Sequence, residues 1–263
     1  MSRQDNLDTF FRDGKTVILP IDHGVAIPVP GLEDPIGLIE RVNPYVNGYV
    51  LNFGLALRTD DILTGKGLCL RTDVYNVRTT GLGAGSINVY GIEEAEMVGA
   101  TAVMNMLFPF AENEATLIQN CADLISDSLE LDIPVILEAL PYGLGQPDKY
   151  TVDNIGFTVR LAAELGADVV KTAYPTNGTV EHFRRIIESC YVPVIVLGGA
   201  AMNNELDLLC LAYNSMQAGA SGIAIGRNVW QYQNPAAMAR SLAAIVHDGA
   251  RVEEALSLLK EDI

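Results

Sequence analysis

The chain contains five lysines, and one stands apart. Lys15, Lys66, Lys149 and Lys260 lie beside Gly, Asp or Glu in polar stretches, whereas Lys171 interrupts the apolar run 167–175 (ADVVKTAYP). A lysine in a buried strand that pointed outward among aliphatic residues would be very costly, so it is expected to point inward, toward other strand ends. Burial disfavours the ammonium, and a neutral amine attacks a carbonyl carbon to give an iminium ion. The iminium is an electron sink that lets an adjacent C–C bond break or form. That step needs a proton shuttle nearby, and Tyr142, Glu138 and Asp22 are the available groups; a carboxylate would also stabilise the iminium. The alternative is an ion pair of Lys171 with Glu138 or Asp22 and no chemistry.

Two Gly-containing stretches near the C-terminus carry a second signal. Gly198-Gly199 and Gly226-Arg227-Asn228 each follow an apolar run. Glycines let backbone N–H groups approach an anion, and arginine pairs with one bidentately, so these loops are expected to hold a phosphate. Two ordinary turns and a surface arginine are the alternative. His23, next to Asp22, is assigned to the same substrate-binding group, while His182 and His247 fall in helical stretches. His23 has no second His or Cys beside it, so no metal is expected. Cys69, Cys121, Cys190 and Cys210 are scattered and read as reduced thiols of a cytoplasmic protein. The GLGAG at 81–85 lacks nucleotide-binding spacing, and no cofactor is expected.

The elements that must position these residues alternate. Short apolar runs read as buried parallel strands at Thr16–Asp22, Gly48–Phe53, Gly67–Thr72, Ala102–Leu107, Pro134–Leu140, Ala167–Thr172, Pro193–Leu197 and Gly222–Ile225. Helical periodicity follows over Glu114–Leu131, Val152–Leu165, Thr179–Cys190, Asn204–Ala218 and Pro235–Val246. Tyr75–Asn88 reads as a Gly-rich extended loop. With 263 residues and no composition break, this order predicts a single (β/α)8 TIM barrel over 1–263, whose site lies at the C-terminal strand ends. There the polar candidates include Asp22, His23, Asn52, Arg71, Asp73, Asn105, Glu138, Tyr142 and Lys171. A doubly wound open sheet would want a GxGxxG after the first strand, where Asp22-His23-Gly24 stands instead. The net charge of −16 with no Lys/Arg-rich window excludes nucleic-acid and anionic-membrane partners. The N-terminus has no apolar signal core, and no run is long enough to cross a membrane.

The succession ILPIDHG (18–24), VVKTAYP (169–175), VIVLGGA (194–200) and IAIGRNVWQ (223–231) resembles the DeoC/LacD-type class I aldolases. It is nearest to archaeal-type fructose-1,6-bisphosphate aldolases, with aminodideoxyheptulosonate synthase and an autoinducer-2-phosphate thiolase as relatives. The resemblance implies a Schiff-base lysine at Lys171, an active-site aspartate at Asp22, and a phosphate held by Gly198, Gly199, Gly226 and Arg227. It also implies a phosphorylated sugar or keto substrate, no metal, and a homo-oligomer, often a decamer. The sequence departs from the family in three places. Aligned on Pro141 and Gly143, the family's acid/base tyrosine falls on Leu140, with Tyr142 two residues on. Ala200-Ala201 replaces a lysine after the double glycine. The stretch after Gly24 is apolar. A transaldolase-like or thiolase-like transferase and a non-catalytic sugar-phosphate-binding barrel therefore stand beside the lyase.

Overall fold

Runs of Val, Ile and Leu with no polar face suit strands covered on both sides, and each barrel strand is buried along nearly its whole length. The computed structural model describes all residues except 27–29, 76–84, 200–201, 203 and 261–263. The strands are β1 (Thr16–Pro20), β2 (Gly48–Leu51), β3 (Gly67–Arg71), β4 (Asp73–Tyr75), β5 (Ser86–Asn88), β6 (Ala102–Leu107), β7 (Val135–Ala139), β8 (Val169–Thr172), β9 (Val194–Leu197) and β10 (Gly222–Ala224). Eight of them close into a parallel barrel in the order β1-β10-β9-β8-β7-β6-β3-β2. Closure is the pairing of Thr16 with Gly222. This is the (β/α)8 barrel expected from the alternating pattern.

The helices are α1 (Arg3–Asp8), α2 (Pro35–Val42), α3 (Phe53–Ala56), α4 (Ile92–Met97), α5 (Glu114–Ser128), α6 (Val152–Leu165), α7 (Val180–Glu188), α8 (Glu205–Gln217), α9 (Arg227–Trp230), α10 (Pro235–Ala243) and α11 (Val252–Lys260). The long ones have identifiable ends. Thr151 caps α6 through Asn154 N–H, and Gly166 ends it in the left-handed conformation. Thr179 caps α7. No helix of the described residues is long and apolar enough to cross a membrane.

The stretch read as a plain loop after β3 differs in the structure. Its ends pair as an antiparallel hairpin, Asp73 opposite Asn88 and Tyr75 opposite Ser86. Three-residue strands are too short for a period-2 pattern to show. The GLGAG run lies outside the described residues save for Gly85. The helix expected over Pro235–Val246 ends at Ala243 and runs into a π-helical turn, Ala244–Asp248, that carries His247.

The barrel interior holds its own apolar cluster: Phe10, Ile18, Val50, Cys69, Ala102, Met104, Ile136, Val169, Ile195 and Ala224. The other core lies between strands and helices. Phe10, fully buried, plugs the N-terminal end. Room for its ring comes from Gly48 and Gly67, where an added Cβ would meet the ring at 2.7 and 2.5 Å. The segment carrying Phe10 is clamped by Arg3. Its guanidinium forks onto Asp168 at 2.8 and 2.6 Å and donates to the Ile133 carbonyl at 2.9 Å. Phe10→Ala is expected to lower unfolding free energy by about 3–5 kcal/mol, measured by urea denaturation.

Candidate active site

On one face of a strand, every second residue points into the barrel. Beyond the apolar cluster this rule brings Asp22, two residues past the end of β1, Arg71 (third barrel strand), Asp73 (the first residue of β4, two past the end of β3), Glu138 (fifth) and Lys171 (sixth) to the C-terminal mouth. Glu138 and Lys171 are register partners on adjacent parallel strands, so their side chains leave the sheet side by side. All five are at least 95% buried.

Arg71 organises the group. Its Nε donates to Asp22 Oδ2 at 2.7 Å, its Nη2 to Glu138 Oε2 at 2.5 Å, and its Nη1 to Asp73 Oδ1 at 3.4 Å. Lys171 Nζ lies 2.9 Å from the same Glu138 oxygen. One carboxylate oxygen is thus shared between a guanidinium and an amine. Burial alone would raise the Asp22 and Glu138 carboxyls. For Asp22, Arg71 and then His23 and Lys171 outweigh burial and hold it well below the ordinary carboxylate range. For Glu138, Lys171 and Arg71 do the same. Asp73 ends on the other side. Burial pushes it up, and Arg71, the Ser86 hydroxyl and the Met106 amide offset only part of that. The Ser86 hydroxyl donates to Asp73 through a short bond, and Met106 N–H donates at 3.2 Å.

His23, assigned from the sequence to the substrate-binding group, lies beside Asp22. Its Nδ1 is 3.4 Å from Asp22 Oδ1, and its ring meets Trp230 edge-on at 5.5 Å. Gly226 is adjacent: a Cβ there would come 2.6 Å from the Pro20 carbonyl and 3.3 Å from the imidazole. The two glycine loops are tied together. Arg227 Nη2 donates to Gly199 O at 3.0 Å, and Asn228 Nδ2 to Gly198 O at 3.2 Å. Arg227 Nε is buried and has no hydrogen-bond partner among the described residues. Gly199 is exposed with φ 68°. Ala200-Ala201 lies outside the described residues, as do residues 27–29 of the apolar stretch after Gly24.

Tyr142, named in the sequence as a proton shuttle, is placed away from this cluster. It has φ 63°, is 37% exposed, and stacks on Phe110 at 5.1 Å with the Lys149 ammonium 5.3 Å from its ring. Leu140 is buried and apolar. Sequence reasoning gave Arg71 and Asp73 a place at the mouth but no role. It missed Tyr75, which appeared only as the first residue of a loop. The Tyr75 ring lies 5.0 Å from Arg71 Cζ. The ion pair of a purely structural lysine is present at Lys171, so the pair alone does not decide between chemistry and support. Two surface clefts, of about 350 and 370 Å³, lie elsewhere, one beside Asp13 and Lys15 at the N-terminal strand ends and one between α6 and α7.

Comparison with known proteins bears on the choice. The model of the DeoC/LacD family aldolases matches residues 16–232. A 2-amino-3,7-dideoxy-D-threo-hept-6-ulosonate synthase of Halobacterium salinarum is 32% identical over 95% of this chain and 94% of its own length. A class 1 fructose-bisphosphate aldolase of Thermoproteus tenax is 30% identical over 96% and 97%. The structure of an archaeal fructose-1,6-bisphosphate aldolase, with its catalytic lysine covalently bound to the carbinolamine intermediate of the substrate, superposes with a TM-score of 0.81 at 27% identity, over 93% of this chain and 99% of that one. The match runs from the first barrel strand to the segment beyond the last, and with it this chain belongs to the DeoC/LacD family of aldolases.

Proposed function

We propose that the protein is a class I aldolase that cleaves or forms a phosphorylated ketose through a Schiff base on Lys171. The observation that carries this reading is the position of Lys171, a single lysine on a barrel strand, buried at the mouth and sharing one Glu138 oxygen with Arg71. The Glu138 oxygen that Lys171 shares with Arg71 leaves a carboxylate beside the iminium when it forms. The iminium itself supplies the electron sink. Asp22, held ionised, orients Arg71 and, through its second oxygen, His23. The phosphate is held between Gly198-Gly199 and Gly226, with Arg227 Nε as the unpaired donor. That gives a chain of net charge −16 a local means of holding an anion.

A second reading has support of its own. The relative from Halobacterium salinarum is a synthase at the same level of identity as the aldolases. A transferase on this scaffold would turn over only with an acceptor aldehyde or keto acid present, whereas a lyase needs none.

Borohydride reduction in the presence of dihydroxyacetone phosphate or fructose 1,6-bisphosphate tests the reading. One adduct is expected, on Lys171 by peptide mass spectrometry. Lys171→Arg should lose it together with at least roughly a thousandfold of the activity. An unmodified Lys171 across a panel of ketose phosphates and keto acids would leave the non-catalytic binding barrel in front. Arg227→Ala is expected to raise KM for the phosphorylated substrate about 10–100-fold, the range for losing a charged hydrogen bond, with much less effect on kcat.

The charge cluster also makes an acid-stability prediction. Glu138 is depressed in the folded protein, so it contributes stability that is present above its unfolded value of about 4.3 and is lost as pH falls through the lower folded value. Thermal melts should show this loss below about pH 4, and Glu138→Gln should flatten that limb while lowering stability near neutrality.

A further inference from the structure

Forming or breaking the C–C bond moves a proton to or from the aldehyde oxygen, and the groups beside Lys171 are poorly suited to it. Asp22 and Glu138 are held as anions by Arg71 and Lys171, so near neutrality they carry no proton to give and bind one weakly. Asp73 is sealed by three donors: Arg71, the Ser86 hydroxyl and the Met106 amide. Two of the nearby phenols are committed elsewhere. Tyr150 donates to the Gly143 carbonyl at 2.7 Å. Tyr142 is out on the rim against Phe110.

A third phenol lies beside the Arg71 guanidinium. Tyr75 is 4% exposed, its ring 5.0 Å from the Arg71 guanidinium carbon, and no described residue accepts a hydrogen bond from its hydroxyl. It is held there by construction. Tyr75 pairs with Ser86 across the β4–β5 hairpin, and Asp73 at the hairpin's base is fixed by Arg71 and the Met106 amide. The guanidinium that steadies both carboxylates is therefore also in place to stabilise a phenolate. Burial, with Asp22 next, keeps the phenol protonated at rest, so it is loaded with the proton the reaction needs.

Resting on the Schiff-base reading above, we propose that Tyr75 is the catalytic proton donor to the aldehyde oxygen during C–C bond formation, and the acceptor of that proton in cleavage. In synthesis the enamine carbon on Lys171 attacks the aldehyde carbon, and the carbonyl π pair moves to oxygen. That oxygen takes the Tyr75 proton and becomes the new hydroxyl, while the nitrogen becomes an iminium. The phenolate, beside Arg71, recovers a proton from solvent. The same number is returned when water hydrolyses the iminium to the ketone and the free amine.

The test begins with wild-type enzyme and borohydride, which must give the Lys171 adduct. Its absence would overturn the Schiff-base reading itself, and this proposal with it. With that in hand, Tyr75→Phe keeps the ring and removes only the hydroxyl. The expected result is a fall in kcat for cleavage of fructose 1,6-bisphosphate of about a hundredfold or more, with KM within a few-fold. Trapping of dihydroxyacetone phosphate on Lys171 should stay at the wild-type level, because that step does not use Tyr75. Cleavage within about threefold of wild type would overturn the proposal. So would parallel loss of trapping and cleavage, since a merely structural tyrosine would behave that way. A readout on Tyr142→Phe separates the two phenols: the rim residue should leave kcat nearly unchanged.

Discussion

The mouth of this barrel depends on one buried cation. Arg71 is almost wholly removed from water and would be intolerable there alone; Asp22, Glu138 and Asp73 make it tolerable and raise its proton affinity further. Each carboxylate comes from a different part of the chain: the end of the first strand, the fifth barrel strand and the start of the hairpin. A single guanidinium thus ties three elements to one point, and its planar fork fixes their directions as a lysine's point charge would not. Lys171 is the remaining piece. It reaches a carboxylate oxygen that Arg71 already holds, which keeps the amine in position without giving it an ion pair to itself.

Much of this was legible in the sequence, and the parts that were not share a physical cause. Lys171 stood out because an ionisable residue inside a Val-rich strand has few places to go; that Glu138 stands beside it is set by the register of adjacent strands. The glycines after the seventh and eighth barrel strands, Gly198-Gly199 and Gly226, stood out because close backbone approach demands them. Gly226 shows why, with the Pro20 carbonyl and the His23 ring where a side chain would be. Arg71 and Asp73 were visible as polar strand ends, but their partners lie 49 and 67 residues from Arg71 for Asp22 and Glu138. Pairing at that distance is set by barrel closure and strand register, which a single sequence does not display. Tyr75 was hidden by its short strand, whose pattern merges with the Gly-rich run that follows. At Tyr142 the chain turns with a positive φ, and its ring stacks on Phe110, a local turn that the strand's alternation does not announce.

The same geometry explains how a strongly acidic protein can take an anionic substrate. Asp22 links the two halves of the mouth. One oxygen faces Arg71, and through it Lys171's partner; the other faces His23, which packs against Trp230 and Gly226 beside the glycine loops. A phosphate held by Gly199, Gly226 and Arg227 would bring the carbonyl it carries toward the amine from that side. Arg227, beside the glycine loops, is the local cation such a phosphate would meet on a chain of net charge −16.

The central claim is that the Arg71-centred cluster presents Lys171 for covalent attack on a carbonyl whose phosphate rests between the two glycine loops. A crystal structure of the protein soaked with dihydroxyacetone phosphate tests this most directly. The account predicts density continuous from Lys171 Nζ to the substrate carbon, with the phosphate between Gly199 and Gly226 and within reach of Arg227 Nε. A bound substrate with Lys171 Nζ still resting on Glu138, or an adduct on any other lysine, would contradict it.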